Sequence, residues 1–127
     1  MSYTIQIEKR NRYLFIEVYG QRAYAATEEL ASSIFESAEE HKMSRLLIDV
    51  WNYSGRLGVA DTYRLVTGSF PDFRNKGIDR IAIIDTRPDK KSGWFFETVA
   101  NNRGYSLKFF DDPHKAESWL LSDLDSI

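Results

Sequence analysis

Two short runs, Arg45 to Trp51 (RLLIDVW) and Arg80 to Thr86 (RIAIIDT), constrain this chain more than anything else in it. Each is apolar almost without a break, too continuous for a strand with one wet face and too short for a helix. Segments of that kind bury both faces, as parallel strands do at the centre of an α/β sheet. Parallel neighbours need a crossover, and the residues between the runs supply one. Val59, Tyr63, Val66 and Phe70 repeat at helical spacing, Pro71 closes that helix, and the chain leaves through Phe73 and the basic turn Arg74 to Gly77.

Around this centre the remaining segments are read by period. Tyr3 to Lys9 alternates, with Tyr3, Ile5 and Ile7 against Thr4, Gln6 and Glu8, and Tyr13 to Tyr19 is rich in aromatic and β-branched residues, so the two predict an opening hairpin that Gly20 ends. Ala25 to Lys42 places Leu30, Ile34, Phe35 and Ala38 on one helical face, with Glu28 and Glu29 expected in the first turn, where the helix dipole favours carboxylates. Ser92 is placed to cap a third helix through Phe95, Phe96, Val99 and Ala100, with Gly104 as its terminator. A strand from Tyr105 to Phe110 follows. Asp112 with Pro113 then opens a last helix that buries Ala116, Trp119 and Leu120. The predicted order is β-β-α-β-α-β-α-β-α in one domain, residues 1–127, with a mainly parallel sheet and right-handed crossovers.

Composition narrows the function. The chain of 127 residues is 43% hydrophobic and 14% aromatic, enough to hold a core by packing alone. It has no Cys, which removes disulfides, thiolate catalysis and most structural zinc sites. Its 19 acidic and 17 basic residues are scattered and sum to −2, giving no broad positive field, so nucleic acid is not the expected partner. Met1 to Lys9 has no continuous apolar run, so neither a signal peptide nor integral membrane association is expected, and the predicted location is cytoplasmic.

No motif specifies an enzyme. The Walker pattern and the Gly-x-Gly-x-x-Gly turn are absent, and His41 and His114, the only histidines, lie at helix ends without a partner at ligand spacing, so no metal and no cofactor are expected. Both central runs end in aspartate, and ligands in open α/β sheets settle at the carboxyl ends of the strands, so a ligand or partner site there would be built from Asp49, Trp51, Tyr53, Ser54, Asp85 and Arg87. The blander role for such acids is to accept the N–H groups of the next turn. A receiver domain also uses strand-end acids, but it needs an acidic cluster after its first strand, where this chain has a hairpin. Trp94, first of three successive aromatics, is the candidate interface residue. Glu28, Glu29, Glu36, Glu39 and Glu40 on one helix, and Arg74, Lys76, Arg80, Arg87, Lys90 and Lys91 later, form two patches that suit homodimerisation or a charged partner.

The order of elements, the LLIDVW strand followed by loop and helix, and the closing FFDDPHKAESWL together resemble the SpoIIAA-like family, relatives of STAS domains and of anti-anti-sigma factors, over nearly the whole chain. The resemblance implies a mixed five-stranded sheet, mainly parallel with an antiparallel N-terminal edge hairpin, and about four helices. It further implies a non-enzymatic regulatory module that binds a protein partner. In anti-anti-sigma members a Ser or Thr preceded by Asp, at the start of the helix after the strand matching Arg45 to Trp51, is phosphorylated by a partner kinase. Ser54 is the candidate phosphoacceptor here, with Tyr53 in the place of the Asp. The fold also resembles the Sec14-type lipid-binding domain, whose apolar pocket implies the alternative, a small apolar ligand held by Trp51, Tyr63, Phe70, Phe73, Phe95 and Phe96.

Overall fold

The structure, a computed structural model, describes residues 3–10, 12–21, 24–54, 78–85, 97–98, 101 and 106–122. Its elements are β1 (Tyr3–Lys9), β2 (Leu14–Gln21), α1 (Tyr24–Glu40), β3 (Arg45–Ser54), β4 (Arg80–Ile84), β5 (Leu107–Phe110) and α2 (Pro113–Leu121). The five strands form one sheet in the order β1-β2-β3-β4-β5. β1 runs antiparallel to β2, and every other pair is parallel. Of the four helices expected, α1 and α2 are described from end to end. The helix expected between Val59 and Phe70 lies outside the described residues, and of the third only Glu97, Thr98 and Asn101 are described, all helical.

The two faces of the sheet hold separate apolar clusters. Leu14, Ile16 and Val18 of β2, Leu46, Ile48 and Val50 of β3, Ile81 and Ile83 of β4, and Leu107 of β5 pack with Leu30, Ile34, Phe35 and Ala38 of α1. The alternate residues Leu47, Ala82 and Ile84 pack with Tyr13, Ala116 and Leu120 on the side of α2. The continuous apolar runs are thus explained: both faces of β3 and β4 are covered.

Helix α1 starts at Tyr24, so Glu28 and Glu29 fall in its second turn and not its first, beyond the strongest part of the dipole. It stops before the expected Lys42. That residue adopts φ 56° in the left-handed region, the Met43 amide donates to the Ala38 carbonyl, and the Lys42 amide donates to that of Glu39. Those bonds satisfy the last carbonyls of the helix in a Schellman arrangement, with Met43 packed on the core. At the other cap expectation and structure coincide: the Asp112 carboxylate accepts from the His114 amide at 2.8 Å with Pro113 in the first turn.

Helix α2 packs mainly on β4, and also on β3 and β5. Two arginines at the starts of parallel strands hold its C-terminal end. Arg45, 4% exposed, donates to the Leu120 carbonyl and, at 2.6 Å, to the Asp79 carboxylate. Arg80 donates to the Trp119 carbonyl at 2.6 Å and lies 5.1 Å from the Trp119 ring centre. The hairpin is tied to the same helix, since the Tyr13 hydroxyl donates to the Glu117 carboxylate and accepts from Arg10 at 3.0 Å.

Burial and the Glu117 bond raise the Tyr13 phenol above its ordinary value, against the opposing pull of Arg10. The fold therefore favours the neutral phenol. That contribution is complete below the unfolded pKa of about 10 and is lost as pH rises through the higher folded value. Urea denaturation at pH 8 and pH 11 is expected to show wild type losing more stability over this interval than Tyr13→Phe. Replacing Arg45 with Ala removes the donor to the Leu120 carbonyl and is expected to cost about 1–3 kcal/mol in the same assay, the partner Asp79 being solvent-exposed. Lys42→Gly removes the left-handed strain and should gain about 1 kcal/mol.

Candidate functional site

Strand β3 reaches three residues beyond the expected Trp51, so Asp49 stands inside the strand and not at its end. It lies in register between Glu17 of β2 and Ile84 of β4. Its Oδ1 accepts from the Trp51 amide at 2.9 Å, which is the turn-holding role of a short acidic side chain, here exercised within the strand. Asp85 directly follows β4, half-buried, and its amide donates to the Phe110 carbonyl at 2.9 Å.

A bulge decides what is presented beyond Asp49. Glu17 pairs with Asp49, but Tyr19 pairs with Asn52, so β3 contains one residue more than β2 over this step. Val50 and Tyr53, three residues apart, consequently both join the cluster under α1. Tyr53 is buried, with its hydroxyl 2.7 Å from Thr27 Oγ1. Trp51 is left 55% exposed. Among the described residues Ile7, at 36%, is the only other exposed large apolar side chain.

The side of the sheet that bears Asp49 is polar near this point. Glu17 and Tyr19 share it, and Gln6 and Thr4 of β1 continue it in register. The Tyr19 hydroxyl donates to Glu17 at 3.1 Å, and its phenol is raised, first by that bond, then by desolvation and by the charges of Glu17 and Asp49. Glu17 and Tyr19 were not singled out from sequence. The alternation of β2 puts them opposite Ile16 and Val18, but only the parallel register sets them beside Asp49.

Of the remaining candidates, Ser54 closes β3 in register with Gln21. Arg87 and Trp94 lie outside the described residues, as do Tyr63, Phe70, Phe73, Phe95 and Phe96. His41 Nδ1 lies 2.8 Å from the Ser37 carbonyl, and His114 is exposed on α2. Among the described residues no three His, Asp or Glu side chains are grouped to hold a metal ion, and no helix is long and apolar enough to cross a membrane.

No family model matches the chain, and no curated protein does. Solved structures do match. An uncharacterised protein of the DUF3478 family with a SpoIIAA-like fold, from Shewanella loihica PV-4, is 24% identical, covers 94% of each chain and has a TM-score of 0.56. An anti-sigma factor antagonist from Mycobacterium paratuberculosis is 12% identical with 94% of each chain covered and a TM-score of 0.57. The anti-sigma factor antagonist SpoIIAA in its unphosphorylated form is 14% identical with 98% of each chain covered and a TM-score of 0.56.

Asn keeps the acceptor oxygen that holds the Trp51 amide, so Asp49→Asn is expected to leave thermal stability within about 0.5–1 kcal/mol of wild type, and Trp51→Ala, at an exposed position, within about 0.5 kcal/mol. Calorimetry of the two variants checks both.

Proposed function

We propose that the chain, as a single domain over residues 1–127, is a non-enzymatic regulatory module that acts by binding a protein partner. Its fold is the SpoIIAA-like α/β fold, and two of the three similar structures above are anti-sigma factor antagonists. The observation that carries the reading is Trp51. A large aromatic side chain exposed beside Asp49, near the C-terminal end of the central strand, suits a contact residue, because aromatic side chains are enriched at the centres of protein interfaces. The carboxylates of Glu17 and Asp49, in register on one face, suit a partner segment with Lys or Arg facing them. Ser54, three residues further along β3, is the proposed phosphoacceptor, where a phosphate would add negative charge.

Native mass spectrometry of the protein, gently purified from its own cells, tests this. The expected result is a stoichiometric protein partner with wild type, and at least about a tenfold loss of affinity for that partner with Trp51→Ala while the melting temperature is unchanged. Asp49→Asn and Asp85→Asn should retain the fold. A retained apolar ligand in place of a partner, equal partner binding by Trp51→Ala, or an enzymatic activity lost in the Asn variants with the fold intact would each overturn the proposal.

A further inference from the structure

The two edges of the sheet are finished differently. On β5, the Ser106 and Phe110 carbonyls bond inward to β4, so the Leu107 carbonyl and Phe109 amide point outward. Side chains of the third helix satisfy both: Glu97 accepts from the Phe109 amide at 3.0 Å, and Asn101 donates to the Leu107 carbonyl at 3.0 Å. That edge is closed.

The β1 edge is not closed in this way. The Arg10 amide donates to the Tyr13 carbonyl, which fixes the alternation of the hairpin. Glu8, Gln6 and Thr4 then point their backbone groups toward β2, while Tyr3, Ile5, Ile7 and Lys9 point theirs outward. No described residue pairs with these outward groups. β1 has no proline and no bulge, its register running unbroken from Tyr3 opposite Gly20 to Lys9 opposite Leu14, and its charged residues, Glu8 and Lys9, are confined to one end.

We infer that β1 pairs antiparallel with β1 of a second copy of this chain, about a two-fold axis at Gln6, so that one sheet runs through both copies. In that register Ile5 meets Ile7 of the second copy and Tyr3 meets its Lys9, each twice by symmetry. These are the outward-pointing residues, so each of the four pairs exchanges two backbone hydrogen bonds. Thr4 faces Glu8 of the second copy, and Gln6 faces the second copy's Gln6. Centring on Ile5 or on Ile7 instead leaves two residues at one end of β1 without partners and keeps one isoleucine pair in place of two.

Side-chain chemistry favours the same register. Tyr3, Ile5, Ile7 and Lys9 share the α1 side, where Tyr3 and Ile5 already pack on the core. Ile7, exposed in the monomer, would continue that apolar surface into the second copy. The Tyr3 hydroxyl donates to Glu29 of α1 at 3.0 Å, so the ammonium of Lys9 arriving opposite Tyr3 finds a carboxylate. The arrangement is isologous and self-complementary, as a two-fold dimer requires. It involves β1 and α1 and does not depend on the partner proposed for Trp51.

The chain has no Cys, so single cysteines report the register directly. At the axis Gln6 forms a non-hydrogen-bonded pair with a Cα separation of about 4.5 Å, within disulfide range. Under mild oxidation Gln6→Cys is expected to cross-link to dimer, and Thr4→Cys is not. In sedimentation equilibrium Ile7→Lys should weaken the dimer at least tenfold with unchanged melting. Lys9→Glu should weaken it too, Glu29→Lys added to it should restore it, and Trp51→Ala should have no effect. A wild type that stays monomeric at high concentration, a dimer indifferent to Ile7→Lys, or cross-linking of Thr4→Cys equal to that of Gln6→Cys would overturn the inference.

Discussion

Arg45 is the joint on which the sheet and its second layer depend. A guanidinium this deeply buried is tolerable only when its donors are matched, and its partners include two from distant places: the Asp79 carboxylate just before β4 and the Leu120 carbonyl in the last turn of α2. The start of β3, the lead into β4 and the end of the final helix are fixed together. The carbonyl end of a helix dipole favours a nearby cation, and Arg80 adds a second on the neighbouring strand. With α2 clamped there, Ala116 and Leu120 seat over Leu47, Ala82 and Ile84. The pairing also bears on register, because an apolar replacement could fill the space but would carry no directional bond to one turn of α2.

From that fixed end the strands run away from the clamped end of α2. Helix α2 reaches β3, β4 and β5, and the polar residues Glu17, Tyr19 and Asp49 occupy the same side of the sheet farther along β2 and β3. The bulge opposite Val18 turns Tyr53 into the core and Trp51 out of it. A sheet with an unbroken register would have no such step, and Tyr53 would alternate onto the side of Asp49 instead of into the core. Among the described residues the two exposed large apolar side chains, Trp51 and Ile7, sit on different strands and suit different contacts, one with another protein and one with a second copy.

Much of the element order was legible in the sequence. The alternation of Tyr3 to Lys9, the two continuous runs, the helical face of Leu30, Ile34, Phe35 and Ala38, and the Asp112–Pro113 start of α2 all reappear at their places, with boundaries moved by a few residues. The candidate site was legible only in part. Asp49 and Trp51 were correctly seen as belonging to one strand, but the strand was expected to stop at Trp51. RLLIDVW ends in a polar NYS sequence that looks like a turn, and only pairing with Tyr19, Gly20 and Gln21 extends the strand through it.

The sequence by itself determined the features that rest on neighbours within a few residues: period, caps and the apolar faces of strands and helices. Asp112 caps α2 because its carboxylate and the His114 amide are two residues apart, whatever the rest of the chain does. Tertiary structure alone decided the partnerships between distant residues: Arg45 with Leu120, Glu17 beside Asp49, Tyr13 with Glu117, and the exposure of Trp51. Each of these depends on strand register and on the seat of α2, which are set by packing across the whole sheet and leave no periodic signal in the chain.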